Sequence, residues 1–319
     1  QGRNRMLEWL DLVLVTDVLR TSLRLMVPIA FAALGGVICE RSGVYNVGME
    51  GMMLSGAFGA ALGTFLTGSP VMGVVVGILL GSFGGAILGV LSIRLNVNQI
   101  VTGIAINLVA LGLTAFLARL IFGLNATTKT LPGFTPWAVP GLSKIPVIGP
   151  VFFEQDPLIY LLYLLVPFLY WLLYRSAFGL DVRATGENPA AADSAGVPVY
   201  RVRFLCALIS GGLAGLGGAY IVVSQVFVFT EHMSAGKGFI ALAAIILGRW
   251  DPVGALLASW FFGFCDTLQL RLQFANPSVP YQIFTALPYV ASILALIGLY
   301  GRVKPPAAVG LPYRRESKT

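Results

Sequence analysis

The sequence predicts an all-α integral membrane protein: a polytopic helical bundle of about 8–10 transmembrane segments, one of them broken or re-entrant. Three observations carry this. Hydrophobic residues make up 57% of the 319 residues, charged residues only 11%, and mean hydropathy is +0.83; a soluble domain carries about 25% charged residues. Apolar stretches recur near residues 25–39, 51–67, 71–93, 100–123, 158–174, 204–229, 239–248, 253–270 and 283–300, most of them close to the roughly 20 residues that cross a bilayer. The net charge of +7 gathers outside those stretches, so it reads as a topology signal and not as a nucleic-acid footprint.

The elements follow in order. Arg3 and Arg5 precede Leu7–Leu19, which contains Glu8, Asp11 and Asp17. That stretch is too acidic to span, so residues 1–20 read as an interfacial segment; it also lacks the uninterrupted apolar core of a signal peptide. The stretch 239–248 is too short to cross and is the candidate for a broken helix. The long proline- and glycine-rich loop 124–156 contains Lys129, Lys144, Glu154 and Asp156 and reads as external. Counting crossings back from it puts the N-terminus outside, against Arg3 and Arg5. The tail 302–319, with Arg302, Lys304, Arg314, Arg315 and Lys318, reads as cytoplasmic.

Residues 175–203 form a polar, basic island between two apolar stretches. Arg175, Arg183, Arg201 and Arg203 place it on the cytoplasmic side. Its centre has the signals of a short helix: Asn188 as N-cap, Pro189 at the first helical position and Gly196 as the stop. A short capped helix presented to the cytosol suggests that a partner docks there.

The spans hold many of the 38 glycines. Gly81, Gly85 and Gly89 fall on one helix face, as do Gly211 and Gly215, and Gly59 and Gly63. Small residues let helix backbones approach closely in lipid, so these faces predict a tightly packed bundle. The run from Gly212 to Gly218 lies inside a span with no strand before it and does not read as a nucleotide loop. Gly236-Lys237-Gly238 lacks the spacing and the hydroxyl residue of a phosphate loop, which removes that route to ATP hydrolysis. Cys39, Cys206 and Cys265 sit at unrelated spacings in apolar segments and read as small buried hydrophobes. The lone histidine, His232, reads as a surface residue.

Polar groups inside a bilayer are costly and by default suggest function. Residues 40–51 form a polar break between two apolar stretches, with Glu40 and Arg41 readable as a local ion pair. Glu50 at the start of a span favours a helix N-terminus, and a helix end beside a glycine-rich break is how transporters aim backbone donors at a solute. Asn98 and Gln99 open a later span, and Asn107 lies about two turns further along it; a helix–helix hydrogen bond and a substrate contact are equal readings of Asn107. Gln225 sits late in its span, and Asp266 and Gln269 lie three apart on one face, an interface position near the external surface.

Four blocks carry a family resemblance. Glu40–Met53 (ERSGVYNVGMEGMM) resembles a signature of bacterial ABC importer permeases for nucleosides and related solutes. Asn98–Asn107 (NQIVTGIAIN), Gly186–Gly196 (GENPAAADSAG) and Gly236–Trp250 (GKGFIALAAIILGRW) resemble three more of their segments, in the right order. The wider group includes permeases for ribose and branched-chain amino acids.

The resemblance implies that residues 1–319 form a single transmembrane permease domain in the bacterial cytoplasmic membrane. It implies a homologous permease subunit, a cytosolic ATPase that holds ATP and Mg, an extracellular substrate-binding lipoprotein, and a surround of membrane lipids. The chain itself would hold no cofactor and bind no nucleic acid. ATPase docking would fall to Gly186, Glu187, Asn188, Ala191, Ala192, Ser194 and Gly196. The substrate pathway would be lined by Asn46, Glu50, Gln99, Asn107 and Phe239, where a neutral nucleoside needs hydrogen bonds and stacking but no counter-charge. The nearest alternative is the same fold importing a simple sugar such as ribose, or a branched-chain amino acid. An ion-coupled secondary transporter would need paired intramembrane carboxylates and inverted repeats, and a membrane enzyme would need a nucleophile–base or metal constellation; neither pattern is evident.

Overall fold

The computed structural model describes residues 2–123, 130–275, 280–298 and 304–314. Among these, six helices are long and apolar enough to cross a membrane. They lie in α1 (Gly2–Arg41), α3 (Pro70–Gly89, continued by a π-helical turn Val90–Arg94), α4 (Gln99–Phe122), α6 (Pro157–Arg175), α9 (Val199–Tyr220, continued by a π-helical turn Ile221–Val226) and α11 (Pro252–Ala275). Where eight to ten spans are expected, the described residues thus show these six, together with α2 (Met49–Thr67), which is as long as α6. Shorter helices are α10 (Lys237–Leu247), α12 (Tyr281–Thr285) and α13 (Leu287–Gly298). Outside the bundle lie a two-residue antiparallel ribbon, β1 (Trp137–Ala138) with β2 (Glu154–Gln155), and the short helices α5 (Ile148–Phe152), α7 (Ala177–Glu187) and α8 (Pro189–Ser194).

The core is built on α1 and α9. Helices α2 and α3 pack on α9, and α11 and α10 pack on α1. The glycine faces do what the spacing predicts. Gly81 of α3 and Gly211 of α9 each stand against the other's carbonyl oxygen, Gly85 faces Ala207 O, and Gly59 and Gly63 of α2 face α3. A Cβ at these places would meet backbone, so only glycine allows the approach.

The chain has two ends. Arg41, Gly43, Gly186, Arg203, Trp250 and Ala308 meet at one of them. At the other, Arg20 forms an ion pair with Glu154 at 3.7 Å and Arg24 donates to Gln155 Oε1 at 3.0 Å. The N-terminal half of α1 therefore shares its end with the 130–156 segment, opposite α8. Residues 2–20 are not a separate helix: they continue into the span, and α1 runs unbroken past Pro28 to Arg41. Lys129, Arg302, Arg315 and Lys318 lie outside the described residues.

Candidate functional site

Between α1 and α2 the chain leaves helical geometry from residue 42 to 48, inside the bundle. Such a break strands backbone donors and acceptors where no water reaches them, and each must find a partner within the protein. The polar residues singled out in the sequence supply those partners. Gln99 Oε1 accepts from Tyr45 N at 2.6 Å. Asn46 Oδ1 accepts from Gly48 N at 3.0 Å, while its Nδ2 donates to Ser210 Oγ at 2.9 Å. Asn107 Oδ1 accepts from Gly51 N at 2.7 Å and its Nδ2 donates to Val47 O at 3.0 Å. Asn46 is fully enclosed and Gln99 is 4% exposed. Their place here is in the stitching of the break, and of the two readings open for Asn107 the helix–helix bond is the one seen.

Glu50 has a different environment. It follows Met49, the first residue of α2, and its carboxylate reaches the start of α10. Oε1 accepts from Ser234 Oγ at 2.6 Å and from Gly236 N at 2.9 Å, and Oε2 accepts from Gly238 N at 2.7 Å. One carboxylate thus caps a second helix more than 180 residues away in sequence and joins α2 and the short α10 at their N-termini, where both dipoles favour negative charge. Residues 227–236 re-enter the bundle to make this contact, which is why α10 has only 11 residues. Phe239 follows on α10 and is 49% exposed.

Glu40 and Arg41 do not pair with each other. Trp250 stands between them: its Nε1 donates to Glu40 Oε2 at 2.5 Å, and its carbonyl accepts from Arg41 Nε at 2.8 Å. Arg249 and Trp250 adopt left-handed φ values of 59° and 54°, a strain of about 1 kcal/mol each at least, which the tight turn after α10 requires. His232 is exposed, and all three cysteines are buried.

At the α8 end the predicted cap is present. Asn188 Oδ1 accepts from Ala191 N at 3.0 Å, Pro189 is the first helical residue, and Gly196 has φ 90°. Glu187, Asn188, Ala191, Ser194 and Gly196 are exposed. Gly186 and Ala192 are buried within the chain. Ala192 is 5% exposed, and Gly186 lies against Arg41 O, where a side chain has no room.

Arg203 is the residue that sequence reasoning undervalued. It was read only as a topology charge, yet it is 2% exposed. Its Nε donates to Ser42 O at 3.0 Å, Nη2 to Thr185 O at 3.3 Å and Nη1 to Leu311 O at 3.3 Å. It therefore ties the polar break, α7 and the C-terminal segment to α9. Ala308 N to Gly186 O at 2.8 Å and Gly310 N to Gly43 O at 3.2 Å complete the clasp. An available signal was its place four residues into an apolar helix rather than before it. At the opposite end Arg119 and Glu231 form a bidentate pair at 2.7 and 2.8 Å.

Comparison with known proteins fits this geometry. The family profile described as branched-chain amino acid transport system / permease component matches residues 18–300. The chain is 39% identical to the guanosine ABC transporter permease protein NupQ of Bacillus subtilis, over 90% of this chain and 92% of that one. It is 37% identical to the nucleoside ABC transporter permease protein NupC of Lactococcus lactis, over 90% and 93%. It is 35% identical to TsgC13 of Haloferax volcanii, provisionally named a glucose ABC transporter permease, over 89% and 93%. A solved inward-facing transporter, provisionally of the metal-chelate ABC type, superposes with a TM-score of 0.51 at 18% identity, over 94% of this chain and 100% of that one; that likeness concerns the fold alone.

Proposed function

This chain belongs to the family of branched-chain amino acid transport system permease components, and we propose that it is the membrane-spanning subunit of an ATP-driven importer that carries nucleosides across the bacterial cytoplasmic membrane. It is a transport subunit and not an enzyme. The observation that carries the substrate class is its 39% and 37% identity, along nearly its whole length, to permeases named for guanosine and for nucleosides.

The exposed face of α8 receives a cytosolic ATPase, which holds the ATP and Mg; this chain holds no cofactor. A homologous permease covers part of the exposed apolar flank, lipids cover the rest, and an extracellular lipoprotein delivers the solute. Arg203 gives motion of α7 and α8 a rigid path to residue 42, the first of the polar break. Glu50 then links that break to α10, so that α2 and α10 move as one body. Glu187→Arg and Ala191→Trp are expected to separate ATP hydrolysis from uptake in complexes that still assemble; normal transport by both would sink the docking assignment.

Uptake by cells carrying the complete system, with and without this chain, tests the substrate. Loss of labelled guanosine and uridine uptake without loss of ribose or glucose uptake is expected. The reverse pattern supports the second reading, import of a simple sugar, which the 35% identity to a permease named for glucose favours.

A further inference from the structure

A cavity of about 230 Å³ lies beside the Glu50 latch. Its polar wall consists of Lys237 at the start of α10, Asp266 and Gln269 on one face of α11, and Thr285 and Tyr289 from α12 and α13. Apolar walls include Leu25 of α1 and Ile240 of α10. Five polar side chains from three directions converge in the outer part of an apolar bundle. Within a membrane protein such convergence is costly and points to function by default. The bonds that hold α11 to α1 run elsewhere, through Trp260 Nε1 to Ser22 Oγ at 3.0 Å.

We propose that this cavity is the base-recognition site for the transported solute, and that Asp266 with Lys237 selects a guanine-type nucleoside; this rests on the nucleoside reading above. The chemistry is specific. A guanine edge presents two adjacent N–H donors, N1–H and the 2-amino group, beside an O6 acceptor. A carboxylate accepts the two donors through its two oxygens, and an ammonium donates to O6. Asp266 and Lys237 carry opposite charges on different helices and cancel, which suits a solute that is neutral overall. Gln269, one turn from Asp266, offers a further donor and acceptor, and the Tyr289 ring offers a flat face for the base. Adenine fits poorly, because its N1 is an acceptor and would meet the carboxylate. Inosine lacks the 2-amino group and loses half of the paired contact.

The cavity lies toward the end of the bundle opposite α8. Helix α10 runs from the Glu50 contact to Trp250, which lies with Arg41 at the α8 end. Lys237 therefore marks the far end of α10, on the side of the 130–156 segment. Glu50 holds Gly236 and Gly238 on either side of Lys237, and so fixes the wall from which the ammonium projects.

The experiment is uptake of labelled guanosine by the complete reconstituted importer, with unlabelled inosine, adenosine, uridine and leucine as competitors. Asp266→Asn, nearly the same shape, is expected to raise the KM for guanosine about tenfold or more, because loss of one bidentate base contact is worth that much discrimination. Guanosine and inosine are then expected to compete almost equally, which a merely structural role of Asp266 would not produce. If Asp266→Asn does not assemble, Gln269→Leu and Lys237→Met carry the same test, each with a smaller fall in guanosine preference. Unchanged KM and unchanged guanosine-to-inosine preference in assembled variants would overturn the cavity assignment and leave nucleoside import standing. Absence of nucleoside uptake by the unmutated importer would overturn both. Strong competition by leucine would assign the two charges to a zwitterion and also overturn the proposal.

Discussion

Helices α1 and α4 are equally plausible as spans from their sequences, yet they occupy opposite situations. The most apolar window of α4 has a mean hydropathy of 2.2 and only 22% of it is buried in the protein; that of α1 has 1.9 and 89% is buried. Helix α9 goes with α1, at 1.8 and 83%. Hydropathy therefore does not tell a central helix from a peripheral one. Within this pair the side chains differ in size. Helix α9 carries glycines through its middle and α1 has Ala32, Ala33, Gly35 and Gly36 close together, so neighbours reach their backbones. Helix α4 has Ile104, Leu108, Val109, Leu113 and Phe116 pointing outward, and lipid or a partner subunit can cover such a face without close packing.

Substitutions can break this contrast. The largest effect is expected at the α3–α9 seam. Gly215→Leu has to push Gly77 and Gly81 away, and overpacking of this kind costs about 3 kcal/mol or more when backbone must move; the complex should fail to accumulate in detergent. The matching change on α4, Leu108→Ala, should shift thermal stability by less than about 0.5 kcal/mol. Equal effects at the two sites would show that the seam is not what holds the core. Next comes Arg203→Met, which leaves the carbonyls of Ser42, Thr185 and Leu311 without their donor. The loss should be about 3 kcal/mol, read as a lower melting temperature together with faster proteolysis of the C-terminal segment.

Asn107→Leu sharpens the comparison, because Asn107, like Gln99, ties the exposed helix α4 to the region of the break, here at Val47 O and Gly51 N. Two hydrogen bonds disappear, and about 1–2 kcal/mol is expected in thermal unfolding of the purified protein. The smallest effect belongs to the pair at the far end of α4. The Arg119 guanidinium holds the Glu231 carboxyl below the ordinary carboxylate range. A depressed carboxylate stabilises above its unfolded-state pKa, near 4.3, and loses that contribution as pH falls through its lower folded value. Glu231→Gln should therefore melt slightly below the unmutated protein at pH 7, with the gap closing below about pH 4 and shrinking in high salt.

Much of this was legible in the sequence. The cap at Asn188, the short helix near 239–248 and the close glycine faces all follow from local chemistry: a side-chain acceptor next to free N–H groups, a run too short to cross, a missing Cβ. The candidate site was only half legible. Its polar residues stand out in the sequence, but their partners do not. Glu50 favours a helix N-terminus, and the one its carboxylate reaches is that of α10; Glu40 and Arg41 are readable as a local ion pair, while Trp250 separates them. Asp266 and Gln269 could be placed on one helix face, but nothing local brings Lys237 opposite them.

The sequence by itself determined that this chain lives in a membrane, where caps such as Asn188 stand, and which faces are smooth enough to touch. These depend on transfer free energy and on contacts within a few residues, which a linear string contains. Only the tertiary structure decided that α1 and α9 lie at the centre, that the break at 42–48 is closed by Gln99, Asn107 and Arg203, and that one carboxylate joins the starts of α2 and α10. Inside a bilayer every stranded backbone group takes whatever polar side chain the packing brings to it, and packing brings together residues that are tens to hundreds of positions apart.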